Sequence, residues 1–488
     1  MIGITSYGAY VPRMRLLRHA ITQANKWFAP GLVSKGKGTK AMANWDEDSL
    51  TMAVAAARDC FQLDSDLSQI KSTYFASTTL PFLDRSNATV ISSALTLASD
   101  ISTLDLTGNQ RVGLSALQQA FSQVSAGTDG ETLVVASDNR KTLAASTQEL
   151  DFGAGAAAVT IGREKVIAEI LSTASMSVDF VDHYKSADSD IDYYWEERWI
   201  RDEGIKKIIP QTIERALTQA SLKPSDVQHV IIPTLFRKLD QQLVKKCGFD
   251  ADSLVDNLVS SVGDTGVAHG LLLLSHCLES IAKPGDHILL AQFGQGAEAL
   301  VLKVTDELKR FSPRKGLSQQ LNLGKEESSY TKFLAYNNQL AIDKGMRAEQ
   351  DKKTALSTQY RHKDMITGFI AGRCRETGQI HFPPSRLSLD QKNPVLDSQE
   401  PYKLADKKAH ICSWSADYLS FSMSPPNQYG LVDFVGGGRL LMEFTDVEKG
   451  DVETGTEMEM VFRVKDIDHQ RNFKRYFWKA TPVRKVQQ

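Results

Sequence analysis

The chain has 488 residues, 42% hydrophobic and 24% charged, and these proportions exclude an intrinsically disordered protein. Its 57 Lys and Arg residues against 59 Asp and Glu residues give a formal net charge of -2, which argues against binding of nucleic acid or anionic membranes through bulk charge. The five cysteines are odd in number and widely separated, as expected of free thiols in a reducing compartment. Without a targeting pattern or an apolar run of about 18 residues, the chain is expected to be cytoplasmic, with no membrane span.

The first 300 residues or so alternate short apolar runs with amphipathic helical patterns, which is typical of a layered α/β fold. Runs bounded by Gly, Asp, Ser or Pro predict strands at 2–5, 72–76, 132–136, 156–161, 229–232 and 287–291. Ala and Leu at helical spacing predict helices at 49–61 and 114–124. Strand, turn and Ala-rich helix occur in the first 160 residues and again over about 205–305, which suggests an internal duplication.

Beyond residue 305 the pattern changes twice. Residues 306–365 are rich in Lys, Arg, Gln and Asn, and we interpret them as helix and linker. From Ile366 onward, short apolar runs with Gly and Pro turns predict strands at 431–434, 438–444 and 458–464. This pattern indicates a small all-β domain, plausibly a barrel.

Several strings in chain order resemble the thiolase superfamily, in the branch that contains HMG-CoA synthase and ketoacyl-ACP synthase III. The three most informative are GITSYGAYVPRMRL at 3–16, DLTGNQRVGLSAL at 105–117 and SVGDTGVAHGLLLL at 261–274. The second string resembles the turn that carries the family's nucleophile, and the third resembles its Gly-Asn-Thr loop. The resemblance implies a duplicated five-layer αβαβα fold over residues 1–350, with a homodimer as the expected assembly.

Residues 351–488 resemble the zinc-ribbon and OB-fold domain that accompanies some thiolase-like enzymes. The strings that carry this resemblance are GFIAGRCRETGQIHFPPSRLSL, PPNQYGLVDFVGGGRLLMEFTDV and GTEMEMVFRV. A zinc ribbon needs four ligands, commonly two CxxC pairs. Here only Cys374 remains, Thr377 takes the second position and RLSLDQ at 386–391 carries no cysteine, so we predict that no zinc is bound.

The catalytic positions of the resembled family are altered. The nucleophilic cysteine falls on Gln110, the general-base glutamate on Thr78, and the histidine of the His-x-Pro loop near Pro233. A covalent acyl-cysteine mechanism is therefore not expected. Asp264 replaces the loop asparagine and His269 follows five positions later, so we predict that this pair supplies acid/base catalysis, although the spacing alone does not show that they meet.

Each of these assignments has a structural alternative. Gln110 is either a relic or an amide that binds a thioester oxygen, His269 either a base or a packed histidine, and Asp264 either a catalytic group or a helix N-cap. The resemblance implies a substrate or oxyanion site lined by Asn109, Gly294, Gly296 and Pro233. Arg237, Arg314 and Lys315 are candidates for the phosphates of coenzyme A, but the basic excess at 306–365 is equally a solvated face.

The predicted function is an enzyme that makes or breaks a carbon–carbon bond on a coenzyme A thioester, with retro-aldol cleavage of a β-hydroxyacyl-CoA as the leading reaction. One alternative is a glutamine-dependent decarboxylase of a malonyl-type thioester. Another is a non-catalytic subunit that binds acyl-CoA or a partner chain. The expected ligands are acyl-CoA or acyl-carrier thioesters, with no covalently bound cofactor, no nucleic acid and no membrane.

Overall fold

The structure, a computed structural model, describes residues 1–63, 65–350, 353, 355–389 and 394–484. The chain divides into two compact units. Unit 1 comprises residues 1–43, 48–89 and 98–337, and unit 2 comprises residues 44–47, 90–97 and 338–488. The predicted domain boundary lies between residues 350 and 351. Residue 351 is outside the described residues, so this boundary stays a prediction.

The strands of the first 337 residues are β1 (Gly3–Tyr10), β2 (Met14–Leu17), β3 (Thr39–Met42), β4 (Ile70–Ala76), β5 (Ser102–Leu106), β6 (Glu131–Asp138), β7 (Gly155–Gly162), β8 (Ala168–Ser177), β9 (His183–Tyr184), β10 (Tyr193–Tyr194), β11 (His229–Ile231), β12 (His287–Phe293), β13 (Gly296–Val304) and β14 (Lys325–Glu327). The α-helices are α1 (Arg18–Asn25), α2 (Ser49–Cys60), α3 (Asn87–Ala94), α4 (Val112–Ser125), α5 (Thr147–Asp151), α6 (Glu197–Trp199), α7 (Lys206–Ala220), α8 (Leu239–Lys246), α9 (His269–Ser280), α10 (Gly316–Asn322) and α11 (Tyr330–Tyr336). Each of the six predicted strands overlaps an observed one, and both predicted helices are present.

A nine-stranded mixed sheet runs through unit 1 in the order β11-β12-β13-β8-β1-β7-β6-β4-β5. Its two halves repeat one pattern. In the first half β4 pairs parallel to β6, which pairs antiparallel to β7; in the second half β11 pairs parallel to β12, which pairs antiparallel to β13. The chain order is also the same, since β8 and α7 begin the second half as β1 and α2 begin the first. The sheet pattern confirms the duplication, whose second half begins at β8 rather than near residue 205.

The helices form three layers around the two half-sheets. Helices α4 and α9 contact each other and strands of both halves, so they lie between them. Helix α2 packs on β1 and β7, and α7 packs on β8 and β13, which places these helices on the outer faces. The buried apolar residues of α4 and α9 belong to one core cluster, and those of α7 form a second cluster with β8 and β11–β13. This arrangement confirms the predicted five-layer αβαβα fold.

Unit 2 is built from short strands around an aromatic core. Its strands are β15 (Ile370–Cys374), β16 (Ile380–His381), β17 (Leu387–Ser388), β18 (Val395–Leu396), β19 (Gln399–Lys403), β20 (Ala409–Asp417), β21 (Asn427–Phe434), β22 (Arg439–Glu443), β23 (Glu457–Asp468) and β24 (Phe473–Pro482), preceded by α12 (Leu356–Arg361) and α13 (Lys363–Ile366). Five of them form an antiparallel sheet in the order β22-β21-β20-β23-β24. A bridge between Phe444 and Ala480 connects its two ends, as in a small barrel.

A buried ion network holds residues 44–47 within unit 2. Arg463 is 1% exposed and contacts Glu47 at 3.0 Å and Asp446 at 2.9 Å. The fully buried carboxylate of Asp46 accepts a hydrogen bond from the Lys479 ammonium at 2.9 Å. Burial would raise the pKa of Asp446, but the charge and hydrogen bond of Arg463 outweigh it and hold that pKa below its usual value. The pair of Asp446 and Arg463 therefore stabilises the folded chain while the Asp446 carboxylate is ionised, and this contribution is lost as the pH falls through the lowered pKa of Asp446.

Within the described ranges, every helix is too short or too polar to cross a membrane.

Removing Arg463 tests the ion network. Arg463→Ala leaves two or three buried carboxylates without their main counter-charge, and breaking such a buried pair costs about 3–5 kcal/mol. We expect that loss in the free energy of opening of β23 and β24, measured by amide hydrogen exchange. The matched control is Arg386→Ala, which removes an exposed arginine paired with Asp397 in the same unit and is expected to change exchange little. Equal protection in Arg463→Ala and the unsubstituted protein would contradict the role of the network.

Candidate functional site

The candidate site lies where four element ends of unit 1 meet. The chain leaves β4 at Ala76 and β6 at Asp138, and it enters α4 after Gln110 and α9 after the turn at Gly266. Parallel strands place their carboxyl ends at the same edge of a sheet, and ligands of open α/β folds bind outside that edge. The turns before α4 and α9 therefore bring their side chains to one place.

Gln110 occupies the tight turn that opens α4. Its backbone carbonyl accepts a hydrogen bond from Gln292 at 2.8 Å, which fixes the turn. The side-chain Nε2 lies 3.4 Å from Thr78 Oγ1, to which it donates, and 3.3 Å from His183 Nε2. The side-chain oxygen Oε1 is buried and has no hydrogen-bond partner. The side-chain nitrogen of Gln110 therefore takes part in a polar network, whereas its side-chain oxygen has no hydrogen-bond partner within the protein.

Thr78 connects Gln110 to a buried carboxylate. Its hydroxyl donates to Asp138 Oδ2 at 2.9 Å and its backbone N–H donates to Oδ1 at 2.8 Å. Thr79 Oγ1 and the Val267 N–H also donate to Asp138. Burial raises the pKa of Asp138, although Arg140 and these hydrogen bonds oppose the shift. Thr78 thus serves as a polar link and cannot replace the family's glutamate as a base.

Arg140 is the buried cation of the site. Its side chain is 2% exposed, its Nη2 donates to Asp264 Oδ2 at 2.8 Å and to the Asp264 carbonyl at 3.0 Å, and its guanidinium lies 3.5 Å from the centre of the Phe152 ring. Burial would raise the pKa of Asp264, but the charge of Arg140 outweighs it and lowers that pKa. Arg140 Nε is buried without a hydrogen-bond partner. Asp264 is therefore the anion that pairs with Arg140.

His269 does not form the predicted pair with Asp264. Its Nε2 donates to the Asn257 carbonyl at 3.0 Å, and its Nδ1 lies 3.4 Å from the Thr265 N–H and 3.3 Å from the Thr265 hydroxyl. A single neutral tautomer satisfies all three contacts. Burial lowers the pKa of His269. Both ring nitrogens are engaged inside the protein, which favours the packed-histidine alternative for His269, and its role as the base stays an untested prediction.

His183 is the histidine that faces Gln110. It is 7% exposed, its Nδ1 lies 3.1 Å from Asp182 Oδ1, and its ring stacks against Tyr194 with centroids 6.1 Å apart. Burial alone would lower the pKa of His183, but the adjacent Asp182 carboxylate, with the charge of Asp192, outweighs burial and raises that pKa. A carboxylate that orients a histidine is an arrangement suited to proton transfer.

The glycine hairpin between β12 and β13 lines the site beside Gln110. A Cβ placed on Gly294 would lie 2.8 Å from the Arg111 nitrogen and 3.0 Å from the Gln110 nitrogen, so only glycine permits this approach. The Gly294 N–H donates to the Gly296 carbonyl at 3.0 Å, and its own carbonyl accepts from Arg111 Nε at 2.9 Å. Gly294 therefore lines the site without offering a free N–H. Asn109 accepts from the Arg111 N–H at 3.1 Å and acts as a turn cap.

Arg111 is held by a second buried ion pair. Its Nη1 donates to Glu298 Oε1, which also accepts from the Ser115 hydroxyl at 2.7 Å. Its Nη2 lies 3.3 Å from Ser177 Oγ. The pair joins the start of α4 to β13 and so fixes the Gln110 turn against the hairpin.

The remaining predicted residues of unit 1 follow β11 or come just before α10. Pro233 follows the carboxyl end of β11, and Arg237 is exposed in the loop after it. Arg314 donates to the Phe61 carbonyl at 2.6 Å, and the Lys315 N–H donates to Asp59 Oδ1 at 2.8 Å.

These last contacts are at the far end of α2 from the site. The helix begins at Ser49, whose hydroxyl donates to the Thr79 carbonyl at 2.6 Å, and Asp59 is ten residues further on, about 15 Å along the axis. The contacts of Arg314 and Lys315 therefore lie away from Gln110. Their role toward coenzyme A stays a prediction.

Sequence reasoning missed the residues that complete the site. Asp138 and Arg140 follow a predicted strand. An acidic and a basic residue just beyond the end of a strand indicate a possible site, and this signal was present in the sequence. The Asp182-His183 dipeptide lies between β8 and α7, in a stretch without periodicity. An acidic residue directly before a histidine was the one local signal there.

The degenerate ribbon of unit 2 contains one thiol among hydroxyl groups. Cys374 Sγ lies 3.1 Å from Ser398 Oγ, which donates to Ser388 Oγ at 3.1 Å, and Gln399 Nε2 donates to the same Ser388 Oγ at 3.1 Å. A closed zinc site needs four thiolate or imidazole ligands. These residues do not fit zinc. Positions 390 and 391 of the RLSLDQ string lie outside the described residues.

In the part of the chain that the structure describes, no three His, Cys, Asp or Glu side chains converge in a way that could hold a metal ion.

Two family descriptions match the chain. Residues 217–304 match the C-terminal domain of 3-oxoacyl-[acyl-carrier-protein] synthase III, and residues 402–463 match the C-terminal OB-fold domain of ChsH2. The first match runs from the last turn of α7 to the end of β13, and the second runs from the end of β19 to the middle of β23. Both agree with the resemblances that the sequence predicts.

Relatives and solved structures extend the match over unit 1. The hydroxymethylglutaryl-CoA synthase of Aeropyrum pernix is 30% identical over 316 residues, which is 64% of this chain and 87% of the relative, and that of Thermoplasma volcanium is 26% identical over 354 residues, 71% of this chain and 100% of the relative. The synthase III of Aquifex aeolicus superposes with a TM-score of 0.53 at 19% identity, over 62% of this chain and 100% of that one. OleA of Xanthomonas campestris gives 0.56 at 18%, over 62% and 96%. The chain belongs to the hydroxymethylglutaryl-CoA synthase family.

Proposed function

We propose that the protein catalyses retro-aldol cleavage of a β-hydroxyacyl-CoA, or the reverse aldol addition, without a covalent acyl-enzyme. Membership of the family supports carbon–carbon bond chemistry on an acyl thioester in general. The observation that carries the finer proposal is the contact of Gln110, at the nucleophile position, with His183, itself paired with Asp182. Gln110 cannot form a thioester bond, whereas an aldol reaction through a thioester enolate needs none.

His183 is the proton-transfer group of this proposal. In the cleavage direction, the β-hydroxyl loses its proton to solvent and becomes a carbonyl, the bond between Cα and Cβ breaks, its electron pair forms the thioester enolate, and His183 donates a proton to Cα. In the synthetic direction, the neutral imidazole removes that proton. The contact between Gln110 Nε2 and His183 Nε2 is long at 3.3 Å, so a substrate can replace it. The Asp182 carboxylate favours the protonated form of the His183 ring.

The charges near Gln110 favour this reaction over decarboxylation of a malonyl-type thioester. Asp138, Asp264 and Asp192 lie within electrostatic reach of the single guanidinium of Arg140, and Asp182 pairs with His183. A free substrate carboxylate would add a further negative charge to this buried group. A β-hydroxyacyl chain brings no such charge. The charge balance therefore supports the aldol reading.

The expected substrate is a coenzyme A thioester, with an acyl-carrier thioester as the alternative, and the expected assembly is a homodimer. Arg237, Arg314 and Lys315 remain the candidates for contact with the phosphates. The sequence also predicts a second function, that of a subunit that binds acyl-CoA without catalysis. The product experiment distinguishes it from an enzyme.

The first experiment follows products. The protein is incubated with a panel of β-hydroxyacyl-CoA and malonyl-type thioesters, and products are identified by mass spectrometry. We expect a shortened acyl-CoA and a carbonyl fragment, with the rate reduced about 100-fold or more in His183→Asn because a general acid contributes on that scale. The matched control His229→Asn alters a histidine that pairs with Asp286 elsewhere in unit 1 and should keep full activity.

Carbon dioxide release without a carbonyl product would instead support the decarboxylase. Acyl-CoA binding with no turnover of any thioester would instead support the non-catalytic binding subunit.

The second experiment uses pH. If His183 donates a proton in cleavage, kcat/KM falls as pH rises through the pKa of His183. Asp182→Asn removes the charge that raises this pKa, so the fall should move to lower pH. Asp286→Asn makes the same change beside His229 and should leave the profile in place. A profile that is unmoved in Asp182→Asn would remove His183 from the proton-transfer role.

A further inference from the structure

Four side chains of the site, Asp138, Thr78, Gln110 and His183, form a continuous polar chain. Thr78 Oγ1 lies 2.9 Å from Asp138 Oδ2. Gln110 Nε2 lies 3.4 Å from Thr78 Oγ1 and 3.3 Å from His183 Nε2. Asp138 and His183, at the two ends, are both buried. The protons along such a chain can be assigned from what each group is able to donate and to accept.

The direction of the polar chain is set at Asp138. Its Oδ1 accepts from the Thr78 N–H at 2.8 Å and its Oδ2 accepts from the Val267 N–H at 3.1 Å. While Asp138 is ionised, the Thr78 hydroxyl also gives its single proton to this carboxylate, since that contact is shorter than the one to Gln110 and is charged. Thr78 Oγ1 can then only accept. Burial raises the pKa of Asp138, so the polar chain has this direction at pH values above that raised pKa.

Gln110 passes this direction on to His183. Because Thr78 Oγ1 can only accept, Gln110 turns its NH2 group toward Thr78, and its buried Oε1 on the other side has no hydrogen-bond partner. The same NH2 group faces His183 Nε2, which is therefore the ring nitrogen without a proton. The proton of the neutral ring then lies on Nδ1, 3.1 Å from Asp182 Oδ1.

A second proton on His183 conflicts with the polar chain. A proton on Nε2 would face the NH2 group of Gln110, so that two donors meet. Reversal of the amide would relieve that contact but would turn Oε1 toward Thr78 Oγ1, whose proton is already given to Asp138, so that two acceptors meet. Either arrangement loses a hydrogen bond that the neutral ring keeps. The polar chain therefore favours the neutral form of His183.

We infer that Thr78 and Gln110 are positioning residues that keep the site-facing nitrogen of His183 free of a proton, so that His183 meets the substrate as a base. This inference rests on the proposed function and deepens it, because the neutral imidazole is the form that removes the Cα proton in the synthetic direction. Thr78 stands at the position where the resembled family has its general-base glutamate. The position thus keeps a role in proton transfer without a titratable side chain.

The charged groups around His183 act in both directions. Burial, the largest influence, lowers the pKa of His183, and the charge of Arg140 acts in the same direction. Asp182 and Asp192 raise that pKa and outweigh both. Tyr194 stacks on the ring and stays neutral, because burial raises the pKa of its hydroxyl. The polar chain opposes the two aspartates, which suits a histidine that must take up and release a proton.

The test measures the pKa of His183 by NMR in protein that carries isotope-labelled histidine. The signal is assigned by its absence in His183→Asn. Thr78→Val keeps the side-chain shape without the hydroxyl, and Gln110→Met keeps the side-chain length without the amide. We expect each variant to raise the pKa of His183 by about 0.5–1 pH unit, because about one net hydrogen bond no longer favours the neutral ring.

The matched control is Thr79→Val. The Thr79 hydroxyl donates to the same Asp138 carboxylate at 3.1 Å but lies outside the path to Gln110, so this variant should leave the pKa of His183 in place. Thr78→Ser retains the hydroxyl and should also keep the original pKa. Thermal unfolding midpoints show whether each variant is folded. If Thr78→Val does not fold, Thr78→Ala removes the same hydroxyl.

The pH dependence of cleavage gives a second readout. When kcat/KM falls as pH rises through the pKa of His183, Thr78→Val should move this fall to higher pH. That direction is opposite to the one expected for Asp182→Asn. Thr79→Val should leave the midpoint of the fall unchanged.

The outcomes separate the inference from the proposed function. An unchanged or lowered pKa of His183 in Gln110→Met or in the variant without the Thr78 hydroxyl would overturn the inference, as would a His183 signal that does not titrate or an equal rise in Thr79→Val. These results require no turnover. The expected changes in pKa without any cleavage would support the positioning role, and only the proposed reaction would then fail.

Discussion

The site depends on one buried positive charge. Arg140 is enclosed by the Phe152 ring and the Asp264 carboxylate, and three aspartates lie within its electrostatic reach. In a buried position a carboxylate without a counter-charge is destabilised by several kcal/mol or takes up a proton. Arg140 lowers the pKa of Asp264, whereas burial raises the pKa of Asp138 even though Arg140 opposes that shift. The rest of the site, including the Gly266 turn and Gln110, is arranged around this distribution of charge.

The fold positions that charge through the duplicated layers. Helices α4 and α9 lie between the half-sheets, and both begin beside Asp138, so the turn of Gln110 and the turn of Gly266 face each other. The Gln292 side chain donates to the carbonyls of both turns. The positions that the resembled family uses for a cysteine and an asparagine thus remain adjacent here, although the side chains on them now form an amide, ion-pair and histidine network.

The sequence was sufficient for the strands and helices because their apolar periodicity is determined locally. The eight elements predicted in unit 1 are all present, and β1 alone continues well beyond the predicted end, to Tyr10. Pairing of the site residues was less predictable. Asp264 and His269 lie five positions apart across a tight turn, and the turn directs Asp264 to Arg140 and His269 to Asn257. His183 comes from a segment with no repeating pattern, so only the folded chain shows that it meets Gln110.

Unit 2 is built from separate segments of the chain, and its buried ion network links these segments. Asp46 and Glu47 supply much of the negative charge around Arg463 and Lys479, although they precede the rest of the barrel by roughly 300 residues or more. A polypeptide that began at residue 338 would contain two deeply buried cations with fewer acids to neutralise them. A cut before residue 338 would therefore leave the smaller unit without the acids at positions 46 and 47, so its stability depends on a segment that the chain supplies from its first 50 residues.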